Sequence, residues 1–156
     1  MEQIHVKLQK GHMVASGQSI TDLRFPKGTL KLQQPFFKLH GLDFDVYFEN
    51  NFVVGTLNFS VAPRIVRLKQ FEYFYSNIKW TNLLPAENFF FSEAQVIYNE
   101  KFYKALLYVP DPSTKPDFFQ NPSIIEVIAQ KIPNIQYGDD AILMYNQEAI
   151  GFELCY

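Results

Sequence analysis

The plainest alternation in the chain runs from Gly55 to Val61, where apolar Leu57, Phe59 and Val61 interleave with polar Thr56, Asn58 and Ser60. Period two marks a strand buried on one side. It sets the Thr56 hydroxyl and the Asn58 amide on one polar face, ~7 Å apart at their Cα atoms. Two neutral oxygen donors at that separation can share one hard cation or one phosphate. They can equally be the solvated side of an ordinary strand. The same period makes Ile4, Val6 and Leu8 a first strand, stopped near Gly11. Residues 64–68, 71–75, 89–91, 94–98 and 102–109 read as further strands, with 94–98 and 102–109 joined across Asn99-Glu100. Residues 141–145 and a closing hairpin through Ile150 to Leu154 complete the set.

Helical signals are fewer. Pro35 suits a first turn and Gly41 the position after a last one, which predicts a short helix over Pro35 to Gly41. Ser123-Ile124-Ile125-Glu126 has capping-box spacing and predicts a second helix running to about Lys131, ahead of Pro133. Pro110 to Pro116 holds three prolines, which remove three backbone donors and make a stiff loop. Residues 76–85 show no period and read as irregular. There is no internal repeat. Many short strands with two short helices predict one mainly β domain over 1–156, a single closed barrel.

Composition narrows the class. Hydrophobic residues make up 47% and charged residues 19%, which suits a globular chain that buries a core. Aromatics at 17% suit a β-rich interior filled by rings. A net charge of -2 supplies no positive excess for phosphate-backbone attraction, so nucleic acid is not an expected partner. No stretch approaches the ~20 apolar residues of a bilayer span, and the N-terminus lacks the apolar block of a signal peptide. The expectation is a cytoplasmic chain with no membrane partner.

Few constellations carry chemistry by themselves. His5, His12 and His40 are isolated, and the single Cys155 cannot build a thiolate metal site or a disulfide. Tyr137-Gly138-Asp139-Asp140 spells a polymerase metal turn, but in a chain this short it reads as ordinary turn chemistry. Thr114 and Lys115 lie in the prolyl loop, which precedes the predicted second helix and so borders its outward N–H groups. Glu126 falls where it would simply bond back to the Ser123 cap.

In chain order, Val14-Ala15-Ser16-Gly17, the predicted helix near Phe36, Gly55-Thr56-Leu57-Asn58, the loop Pro110 to Thr114, Ile125-Glu126-Val127-Ile128-Ala129 and Tyr137-Gly138-Asp139 resemble the archaeal CTP-dependent riboflavin kinase family. The resemblance spans about residues 10–145. It implies a cradle-loop barrel of about six strands and transfer of phosphate from CTP to riboflavin, giving FMN. It further implies that Thr56 and Asn58 are magnesium ligands and that Thr114 and Glu126 hold the flavin, Glu126 also serving in removal of the attacking proton. Ser16 and Gly17 would open the loop around the nucleotide phosphates, and Lys131 to Asn134 would be a second nucleotide-contacting stretch. The family alternates glycines after Ser-Gly, whereas this chain has Gln18-Ser19-Ile20-Thr21-Asp22. With those backbone approaches lost, a non-catalytic barrel that binds a flavin, another small ligand or a protein is the alternative.

Overall fold

A computed structural model describes residues 1–11, 28–114 and 121–154. Six antiparallel strands close a barrel: β1 (Glu2–Gln9), β2 (Leu57–Ser60), β5 (Glu87–Tyr98), β6 (Lys101–Pro110), β7 (Ile124–Ala129) and β8 (Asp140–Tyr145). Around its circumference the order is β5-β6-β7-β2-β1-β8, and a β5–β8 pairing completes the ring. The twelve residues of β5 serve two neighbours along one edge. Ala94 to Ile97 pair with β8, and the earlier half pairs with β4 (Tyr73–Ile78), which extends the sheet beyond the barrel. Two helices, α1 (Thr29–Leu39) and α2 (Phe44–Tyr47), cover the outside of that extended wall.

Alternation along the wall strands divides their side chains between two cores. Inward, Phe59, Val96, Ala105, Leu107, Ile125, Val127 and Leu143 fill the barrel. Outward, Phe89, Phe91, Leu106, Tyr108 and Ile128 meet Leu30 and Phe37 of α1 and Phe44 and Phe48 around α2. Phe37 is central to this outer layer, with its ring edge-on to Phe89 and Phe91 at 5.1 and 4.9 Å between centroids. A two-stranded ribbon, β3 (Arg64–Leu68) with β9 (Ile150–Leu154), packs Ile150, Val66 and Phe152 against the inner core. Ribbon and barrel are tied where β7 begins: the Val66 N–H donates to Pro122 O, and Ser123 Oγ donates to Arg64 O.

Several expected features hold. Asn99 and Glu100 form a two-residue turn with both φ positive, 49° and 63°, the geometry that matches strand twist in a tight hairpin. Gly41, at φ 97°, ends α1: its N–H bonds Lys38 O while that of Leu42 bonds Phe37 O. That paired pattern is a Schellman stop, sealed by burial of Leu42 beside Phe37. Gly138, at φ 94°, turns the chain into β8.

Other expectations are corrected. The segment after Ser123 is the barrel strand β7 and not a helix, because β-branched Ile125 and Val127 fill the barrel core. Its capping-box spacing is unused: the Ser123 N–H bonds Asn121 Oδ1 in a local turn. The first helix starts six residues before Pro35, which lies in its interior. Leu30, Gln33 and Phe37 share one buried face, and that burial outweighs the ~3 kcal/mol interior cost of proline. Residues 89–91 and 94–98 belong to one continuous strand, and β4 reaches Ile78 within the stretch read as irregular. Finally, β9 follows β8 in sequence but pairs with β3, so the last hairpin does not form.

Two substitutions test this layering with opposite signs. Phe37→Ala empties the outer core and is expected to cost about 3–5 kcal/mol in urea unfolding. Ser92 points into the barrel with its Oγ fully buried and without a hydrogen-bond partner. Ser92→Ala is therefore expected to stabilise by ~1 kcal/mol.

A pH dependence follows from the far end of the barrel. Tyr98 Oη donates to Asp139 Oδ2 at 2.6 Å, and the Gln136 N–H donates to the same oxygen. These two bonds, the phenol's first, hold the Asp139 carboxyl below its ordinary range. The folded value being the lower, the stabilisation is present above the ordinary range near ~4 and is lost as pH falls through the folded value. In thermal unfolding across pH, the deficit of Tyr98→Phe should be full at neutral pH and close in acid. The Tyr98 phenol is raised above its usual value, chiefly by the Asp139 bond. The deficit should therefore close again as pH rises through that raised value.

Candidate functional site

Leu57 and Phe59 turn into the barrel, so Asn58 turns out, and the strands on either side set its neighbours. Asn58 pairs with Gln9 of β1 and with Glu126 of β7. Continuing the β6–β7 register by one pair from Leu107↔Val127 sets Tyr108 beside Glu126. A polar row thus crosses four strands on the outer face: Gln9, Asn58, Glu126, Tyr108. Thr56, just ahead of β2, joins it by donating from Oγ1 to Glu126 Oε1 at 2.9 Å.

Burial grades along the row. Gln9 is exposed, while Asn58, Thr56 and Glu126 are half-buried. Tyr108 lies under α1 with its Oη donating to Gln33 Oε1 at 2.6 Å. Burial raises the Tyr108 phenol well above its ordinary value, with the negative charges of Glu126 and Glu87 adding to it. Tyr108 therefore stays a proton donor at any physiological pH and cannot serve as a base. Glu87, itself buried, accepts from the Trp80 indole at 2.7 Å.

The residues singled out from sequence are thus partly brought together. Thr56, Asn58 and Glu126 share one patch. Because β7 is a strand, the Glu126 carboxylate is not spent on a helix cap and meets Thr56 instead. Thr114 is committed elsewhere: its hydroxyl accepts from the Asn88 N–H and donates to Asp111 O, fixing the turn that follows β6. The helix expected from Ser123 is instead the strand β7, so the helix N-terminus expected there after the prolyl loop does not form. Lys131 is exposed beyond the end of β7. Ser16 and Gly17 lie outside the described residues, as do Asp22 and Lys115.

The donor set suits magnesium in kind. A hydroxyl, an amide oxygen and one carboxylate are hard oxygen ligands, and magnesium commonly completes its shell with water and phosphate. No cluster of three or more His, Cys, Asp or Glu forms among the described residues, and of Gln9, Thr56, Asn58, Glu126 and Tyr108 only Glu126 brings a carboxylate. Such a set leaves a bound cation net positive and ready to take up phosphate oxygens. Sequence reasoning missed Gln33, Tyr108 and Gln9. Tyr108 is a polar-tipped residue inside an apolar run and Gln33 stands beside Gln34 in a mixed stretch, so only their mutual bond reveals a role.

No protein-family model matches the chain, and no curated protein does so either. No described helix is long and apolar enough to cross a membrane. The support that Tyr108 lends to α1 is measurable. Tyr108→Phe leaves Gln33 Oε1 buried without its donor, and a loss of about 1–3 kcal/mol is expected in chemical denaturation.

Proposed function

We propose that this protein is a cytoplasmic, magnesium-dependent phosphotransferase of the riboflavin kinase type, moving the terminal phosphate of a nucleoside triphosphate, CTP by resemblance, to riboflavin to give FMN. One observation carries the reading: the two residues matched to magnesium ligands and the carboxylate matched to the flavin share one patch, joined by the Thr56–Glu126 bond. In that patch Thr56 and Asn58 would hold the magnesium. When bound, the ion neutralises charge on the phosphate oxygens.

The remaining work falls to the chain. Glu126 Oε1 holds the Thr56 hydroxyl, and Glu126 Oε2 receives the proton of the flavin 5′-hydroxyl. A bond forms from the flavin 5′ oxygen to the terminal phosphorus, and the bond from that phosphorus to the departing nucleoside diphosphate breaks. Tyr108 and Gln33 hold the wall behind Glu126 and exclude water from that side. Phosphoryl transfer asks mainly for such positioning and charge stabilisation, which a rigid strand pair supplies.

A second reading, flavin or other ligand binding without transfer, draws on the Thr114 hydroxyl being occupied in its own turn and on the single glycine after Ser16. One assay separates the two. Riboflavin, magnesium and each of the four nucleoside triphosphates are incubated with the purified chain, and FMN is followed by chromatography. Turnover is expected with at least one nucleotide, and Glu126→Ala should lower kcat by ~10²–10⁴-fold. Riboflavin fluorescence quenching without FMN from any nucleotide supports the second reading. Absence of both overturns the transferase reading and, with it, flavin binding.

A further inference from the structure

We propose that Gly11 is a positioning residue for the Asn58 amide, and that its missing side chain is what lets Asn58 offer an oxygen to a metal ion. The inference rests on the metal reading of the patch. Strand β1 ends at Gln9, the register partner of Asn58, and two residues later the backbone passes directly over the Asn58 side chain. A Cβ on Gly11 would lie 2.3 Å from Nδ2, 2.7 Å from Cγ and 2.9 Å from Oδ1 of Asn58. All three are well inside van der Waals contact, and all three belong to one side chain.

Glycine is not required at this position by its backbone, which is outside the left-handed region. At such a site alanine normally stabilises, by restricting the unfolded chain. Here that gain is forgone, and the volume saved is occupied by a single amide. Across β2 the same residue pairs with Glu126, which holds the Thr56 hydroxyl. The amide thus lies against Gly11 on the strand face where its register partner Glu126 holds Thr56. A methyl at position 11 meets the far end of a side chain and no backbone atom among its three nearest neighbours. It should displace the donor and leave the fold standing.

The test uses the full chain, ¹⁵N-labelled, with Mn²⁺ as the metal probe. An NOE is expected between the Asn58 side-chain amide protons and the Gly11 Hα protons, and in Gly11→Ala the amide resonances should shift. Mn²⁺ titrations read by paramagnetic resonance should show Gly11→Ala weakened ~10–100-fold. Asn58→Ala should be weakened to match, and the double variant should be no weaker than Asn58→Ala alone. Thermal unfolding of Gly11→Ala should stay at or above wild type. If Gly11→Ala fails to fold and the double variant folds, the clash with the amide is still demonstrated. If both fail to fold, the contact is structural and the proposal is overturned. Wild-type affinity in Gly11→Ala, or additive losses in the double variant, also overturns it. Wild type that binds no Mn²⁺ refutes the metal reading itself; the NOE then decides the Gly11 contact separately, and its absence ends that too.

Discussion

Burial of one wall on both of its faces is the constraint on which the molecule depends. Strands β5, β6 and β7 supply the barrel core from one side and the helix-covered aromatic layer from the other. Ala105 to Tyr108 are consecutively buried for this reason, as are Val127 to Ala129. A sheet buried on both faces needs apolar residues at successive positions, whereas a sheet with one wet face needs them only at alternate ones. Phe37 joins the two arrangements, because its ring fills the space between α1 and the outward rings of β5.

The candidate site lies at the margin of that doubly covered region. Moving from β6 through β7 and β2 to β1, the outward residues pass from Tyr108 beneath α1, through half-buried Glu126 and Asn58, to exposed Gln9. Partial desolvation strengthens what Glu126 and Asn58 can do electrostatically, and access from solvent is kept. The buried Tyr108–Gln33 bond anchors the wall against α1 at the closed end of the row. The rigidity of the site therefore comes from the aromatic layer next to it.

Legibility followed the number of wet faces. β2 was plain because Leu57 and Phe59 face the barrel while Thr56 and Asn58 do not. The Asn99-Glu100 turn and the Gly41 stop were plain because each is decided by two or three local residues. Residues 124–129 misled because burial on both faces erased their alternation, and a four-residue capping pattern then outweighed strand propensity. Pro35 misled because its local cost is real but smaller than the gain from seating Leu30 and Phe37. The pairing of β9 with β3 was illegible, since adjacency in sequence favours a hairpin with β8 and nothing local in residues 146–154 names a distant partner.

The amino-acid sequence by itself determined the mainly β character, the barrel-forming alternations, the tight turns and the polar face carrying Thr56 and Asn58. Each of these depends on interactions within a few residues. Tertiary structure alone decided that Glu126 reaches Thr56 across 70 positions, that Tyr108 meets Gln33 across 75, and that Gly11 yields its space to Asn58. Strand register sets those meetings, and register is fixed by the closure of the whole barrel and not by any one of its strands.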